Sequence, residues 1–193
     1  MNKYKDSSDL EVLLEISKYD SRALEELYDR YSAFLYTIIQ KIVSSKERAD
    51  EILVDVFTII WRKIDRFNFK SGNAYAWLVN IARNKAVDYL RRSKGLEDSK
   101  YTDDYENYYI LPELSSIIDP LDITTAKNIK SSIDEALDLL TDAQKYVIHL
   151  AYYDGLTLSE IADELNIPVE TVRSKVMTAL YKLKDNLLLG AAE

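Results

Sequence analysis

At 193 residues the chain has room for one large or two small domains, and the absence of cysteine rules out a disulfide framework or a thiolate metal site. Four Gly, three Pro and hardly any alternating β-branched run exclude a turn-rich β fold and leave an all-α chain. The polar start, MNKYKDSSD, and the want of a membrane-length apolar run read as cytoplasmic with no membrane insertion, while a net charge of −8 argues against grip on nucleic acid by charge alone.

In chain order, Ser8 with Glu11 forms a capping box that predicts a short helix within 8–19. A long helix follows from Ser21 to about Val43, its apolar side made of Leu24, Leu27, Tyr28, Tyr31, Leu35, Ile38, Ile39 and Ile42. Ser44 and Glu47 predict the next start, with a helix running to about Phe67. After a loop from Asn68 to Gly72, a helix from Asn73 to Arg92 completes a bundle taken as domain one, residues 1–94. Its core stripe is predicted to be Trp77, Leu78, Ile81, Ala82 and Tyr89.

Periodicity then fails. The stretch 95–130 is acidic, rich in Tyr and broken by Pro112 and Pro120, and it reads as a flexible linker. Residues 131–193 resume as a second helical domain, in which Thr141 with Gln144 caps a helix reaching Tyr153 and Asp154-Gly155 turns the chain. The stretch TLSEIADELNIPVETVRSKVMTALYKLK follows. Thr157 with Glu160 is a capping box, Asn166 suits a left-handed stop, and Pro168 starts the second helix of the pair. Val172, Val176, Ala179, Leu180 and Leu183 form one stripe of that helix. Thr171, Ser174, Lys175, Thr178 and Lys182, with Arg173 flanking, supply hydroxyls and cations for the outer side, the pattern of a DNA-reading helix-turn-helix.

The charge is unevenly spread. Residues 62–94 carry nine Lys and Arg against two Asp and Glu, residues 95–142 carry three against twelve, and residues 143–193 carry five against seven. The helix-turn-helix therefore brings few cations to DNA phosphates, and something else must deliver it.

Two further patches carry chemistry. In RADEILVDVF, Glu51 and Asp55 lie four residues apart on the polar side of a helix with Asp50 adjacent, a candidate contact for a basic partner. In FNFKSGNAYAWLVNIARNKAVDYLRR, Phe67, Phe69, Lys70, Asn73 and Tyr75 surround a loop containing Gly72, and Asn80, Arg83, Asn84 and Arg91 share an outer stripe. Rings beside cations and amides suit unstacked bases. Catalysis finds no support: the single histidine, His149, reads as structural, and there is no phosphate loop, no H-E-x-x-H and no Cys/His cluster. No enzyme activity, metal or cofactor is expected.

These segments, in this order, resemble the RNA polymerase sigma factors of the extracytoplasmic-function (ECF) type, over residues 21–94 and 131–187. RADEILVDVF is similar to the family's polymerase-binding helix, and the A-W-L-x-x-I-A-R-N run followed by D-x-L-R-R to its minus-ten segment. The resemblance implies that Asp50, Glu51 and Asp55 engage the clamp of core RNA polymerase. It implies that Phe69, Lys70, Asn73 and Tyr75 surround a base of the melted minus-ten strand, with Asn80, Arg83, Asn84 and Arg91 on adjacent DNA. Glu170, Thr171, Arg173, Ser174, Lys175 and Thr178, with Lys182, would enter the major groove of the minus-thirty-five element. Arg48 and Val54 depart from the family, which usually has an acid and a Gln there. Promoter DNA, core polymerase and an anti-sigma factor are the implied partners, and a monomer the implied free state. The acidic linker would thread a basic polymerase channel through Asp103, Asp104 and Glu106. Two other readings stay open: a stand-alone regulator that dimerises through residues 1–94, and a helical adaptor without a DNA role.

Overall fold

Short polar side chains at the helix starts set most of the architecture. The computed structural model describes residues 3–70, 73–96 and 135–190. Helix α1 (Asp9–Ile16) opens on Ser8, whose hydroxyl accepts from the Glu11 amide while the Glu11 carboxylate accepts from the Ser8 amide at 2.7 Å. Helix α2 (Ser21–Val43) is capped by Asp20, which accepts from the Arg22 amide at 2.9 Å. Helix α3 (Lys46–Lys63) starts one residue later than expected. Ser45 is its N-cap, whereas Ser44 takes the left-handed conformation (φ 59°) that ends α2. Nor does α3 run to Phe67: it stops at Lys63 and gives way to a 3-10 turn, Ile64–Arg66. Helix α4 (Ala74–Ser93) follows. The expected linker, including Asp103, Asp104 and Glu106, falls mostly outside the described residues, as do Ser71 and Gly72.

Past the undescribed stretch come a helical piece at 135–138, α5 (Asp142–Tyr152), α6 (Leu158–Leu165) and α7 (Val169–Gly190). The described residues hold helices and turns without a strand, the all-α class that the composition demanded. None of these helices is long and apolar enough to cross a membrane.

Backbone contacts divide the chain into two compact units, Met1–Leu90 and Arg91–Glu193. In the first, α2 packs against both α1 and α3. Val12, Leu13 and Ile16 of α1, Leu27, Leu35 and Ile39 of α2, and Ile52, Val56 and Ile60 of α3 are withdrawn from water. Arg30 pins the N-terminal segment to α2. Its guanidinium donates to Asp9 at 2.8 Å, to Glu26 at 2.6 Å, and to the carbonyls of Tyr4, Lys5 and Ser7 at 2.6, 3.3 and 2.8 Å. Asp9 also accepts from the Tyr31 hydroxyl, and burial together with that carboxylate pushes the Tyr31 phenol well above its usual range. Buried charge is costly unless paired and hydrogen-bonded, and this cluster meets both conditions.

In the second unit Val147, Leu150, Leu156, Leu158, Ile161, Val172 and Val176 form one buried cluster. Ala136, Leu140, Ala179 and Leu183 form another. Gly155 supplies the positive φ of 66° that lets the chain leave α5 for α6.

Candidate nucleic-acid interface

The pair α6–α7 is held by local hydrogen bonds before any partner is considered. Thr157 and Glu160 cap α6 reciprocally: the Glu160 amide donates to the Thr157 hydroxyl at 3.1 Å, and the Thr157 amide to the Glu160 carboxylate at 2.8 Å. Asn166 sits at φ 52°, ψ 47° and closes the helix, and the Ile167 amide reaches back to the Ala162 carbonyl at 3.0 Å. Pro168, which has no amide to leave unbonded, accepts from the Thr171 amide at 2.9 Å as α7 begins.

Along α7 the two stripes separate as the periodicity predicts. Val172, Val176, Ala179 and Leu183 are buried, while Leu180, expected with them, is half-buried. Glu170, Thr171, Arg173, Ser174 and Thr178 are exposed, and Lys175 and Lys182 are half-buried. Arg173 lies 3.4 Å from Glu170 one turn earlier, an exposed pair that rearranges cheaply. Lys182 donates to the Leu139 carbonyl at 3.2 Å.

The first unit gathers the aromatic residues around the start of α4. Phe67 is buried and touches Phe69 edge-on at 5.0 Å and Trp77 at 5.3 Å. Lys70 is exposed on a turn in which its amide donates to the Asn68 side chain at 3.0 Å. Asn73 and Tyr75 are half-buried, and burial raises the Tyr75 phenol above its usual range, so it remains a neutral hydroxyl. Tyr75 stacks on Phe34 of α2, ring centroids 5.4 Å apart and planes at 27°. Sequence reasoning missed Phe34. Phe34 lies seven residues after Leu27 and three after Tyr31, at the edge of the apolar stripe of α2, so spacing alone does not set it apart.

Two arginines depart from expectation. The inner row of α4 is Leu78, Val79, Ala82, Arg83, Ala86 and Val87, rotated away from the predicted stripe, so that Trp77, Ile81 and Tyr89 are only half-buried. Arg83 is consequently 3% exposed rather than outward-facing, and its guanidinium donates to the Asn84 side-chain oxygen at 3.1 Å. Arg91 is wholly buried, donating to the Gly155 carbonyl at 2.8 Å and to both Glu160 oxygens at 2.8 and 3.1 Å. Polarity alone placed both on the outside; their hydrogen bonds account for the opposite. Burial would raise the Glu160 carboxyl, but Arg91 and the Thr157 amide outweigh it and hold that carboxyl below its usual range. Asn84 is exposed and Asn80 half-buried.

On α3, Asp50, Glu51 and Asp55 are all exposed. Arg48 pairs with Glu51 at 2.6 Å and Lys85 with Asp55 at 3.1 Å. Val54, between the acids, leaves 65% of its surface open. His149 is exposed on α5, 3.8 Å from Asp154, and not part of a core.

Models of two known domains match this chain: sigma-70 region 2 over residues 27–95 and sigma-70 region 4 over residues 136–185, which together span well over half of it. The ECF RNA polymerase sigma factor SigK of Mycobacterium tuberculosis (strain ATCC 25618 / H37Rv) is 29% identical over 182 residues, covering 94% of this chain and 95% of that protein. The chain belongs to the ECF sigma factors. SigK of Mycobacterium bovis (strain BCG / Pasteur 1173P2) matches to the same extent, and SigK of Mycobacterium sp. (strain JLS) is 26% identical over 94% of this chain and 92% of that one. Among solved structures, CnrH in complex with the cytosolic domain of CnrY aligns at 21% identity with a TM-score of 0.42, over 96% of this chain and 99% of that one. As an ECF sigma factor the chain is a non-enzymatic factor of promoter-specific transcription initiation by RNA polymerase.

Proposed function

We propose that this sigma factor reads the minus-ten element with its first unit and the minus-thirty-five element with α6–α7, while the acidic face of α3 binds the clamp of core polymerase. The observation that carries the reading is the α7 face. Glu170, Thr171, Arg173, Ser174 and Thr178 stand open with Lys175 beside them, on a helix whose other side is buried and whose start is fixed by its own turn. Hydroxyls, an amine and a guanidinium at these positions suit base edges and phosphates of a major groove.

In the first unit, Phe69, Lys70, Asn73 and Tyr75 take an unpaired base, and Asn80 and Asn84 hold the strand beside it. Arg83 acts from beneath: by occupying the Asn84 carbonyl oxygen it leaves the amide nitrogen to donate outward. Arg91 is left out of the contact set because its donors are directed at Glu160 and Gly155. Asp50, Glu51 and Asp55, with Val54 among them, offer the clamp an apolar centre ringed by acid. The family resemblance adds an anti-sigma partner that masks these surfaces.

Run-off transcription with core polymerase on a promoter library tests the reading. Discrete transcripts should depend on the protein, and replacing Arg173 and Lys175 together by Ala should abolish those that need an upstream element. A chain that dimerises and footprints DNA without core polymerase would overturn it.

A further inference from the structure

Phe34, which stacks on Tyr75, has no part in the contact set so far. Phe34 lies on α2, outside the buried row Tyr31, Leu35, Ile39 and Ile42, and 39% of its surface is open. One side of its ring is occupied by Tyr75, near-parallel at 27°. Tyr75 is half-buried in the first turn of α4, two residues after Asn73. A phenyl ring held flat by a backing ring, with surface left to water, has lost most of its orientational freedom before a ligand arrives. That is the requirement for a stacking surface, since every base has a π-face and a fixed ring accepts it with little ordering cost. Residues 62–90, with six Lys and Arg against two Asp and Glu, place favourable charge for a phosphate backbone in this same unit.

We propose that Phe34 is a further stacking residue for promoter strand recognition: it takes a nucleobase of the unpaired strand on its open surface, with Tyr75 as the backing ring. The inference rests on the minus-ten reading above and extends it to a second helix. It makes the single-strand site a two-helix surface, with α2 adding a base position next to the one that the α4 loop surrounds. Tyr75 then serves both positions.

The test uses full-length protein assembled with core polymerase and a single-stranded minus-ten oligonucleotide carrying 2-aminopurine at each position in turn. With Phe34 intact, fluorescence should be quenched at a position next to the one that depends on Phe69 and Asn73. Phe34→Leu keeps apolar bulk and removes the π-face. It should relieve quenching at that position and weaken oligonucleotide binding about 5- to 150-fold, the range for losing one stacked base, without changing affinity for core polymerase. Phe34→Trp should restore both signals. If Phe34→Leu binds and quenches as the parent does, the ring is ordinary packing and the proposal is wrong. If Phe34→Leu instead lowers core affinity, the surface is a polymerase contact and the proposal is equally wrong. Failure of the parent holoenzyme to bind the oligonucleotide at all would overturn the minus-ten reading itself, a different result from either.

Discussion

Arg83 and Asn84 adjoin in sequence, yet one is packed in the inner row of α4 and the other is exposed. Replacing Arg83 by Ala should therefore behave as a large-to-small core change and cost about 2–5 kcal/mol in urea unfolding. Asn84→Ala should stay within about 0.5 kcal/mol and show its effect in promoter opening. Equal destabilisation by the two would contradict the assigned orientation. Glu160 allows a pH test. Its carboxyl is held low in the folded state, so its contribution is complete above the ordinary glutamate range and is lost as pH falls through the depressed folded value. Glu160→Gln retains a capping side chain at the third helical position but cannot titrate. Thermal melts from neutral pH into acid should fall less steeply for this variant than for the parent; parallel curves would show that Arg91 does not stabilise the ionised form.

At the level of elements, three helix starts were legible from a short polar residue three places ahead of an acid or amide. Ser8, Thr141 and Thr157 all cap as read. The slip from Ser44 to Ser45 has a local cause. Either serine could open α3, and only the left-handed turn ending α2 decides between them. The inner row of α4 was read only in part: Leu78 and Ala82 are in it, but in place of Trp77 and Ile81, the larger apolar side chains, tertiary packing selected Arg83 and Ala86. In the candidate site, the α7 face could be read from one helix, whereas the Phe34–Tyr75 stack joins residues forty-one apart and has no periodic signature. Asn166 offers a test of its own. Asn166→Gly should be nearly neutral at φ 52°, while Asn166→Ala should cost about 1 kcal/mol in chemical denaturation, because a β-carbon is disfavoured there. Equal stability of the two would remove the left-handed turn from the account of the α6–α7 geometry.

For the whole molecule, charge is the governing quantity. With a net −8 overall and five Lys and Arg against seven Asp and Glu from residue 143 onward, the chain has little to attract DNA from a distance. Non-specific affinity depends almost wholly on phosphate neutralisation. Free protein should therefore fail to shift promoter DNA at physiological salt in a gel assay, and adding core polymerase should produce the shift. A tight, sequence-specific shift by the chain alone would contradict this. The favourable charge is local: residues 62–94 carry nine Lys and Arg against two Asp and Glu.

The Arg30 clasp bears on how the protein can be handled at its amino end. Three of the acceptors around this guanidinium are carbonyls of residues 4, 5 and 7, and a fourth is Asp9 at the head of α1. Trimming the first eight residues to obtain a tidier fragment would leave a half-enclosed cation facing two carboxylates without its main-chain partners. An affinity tag is accordingly safer as an extension ahead of an intact start than as a replacement for it.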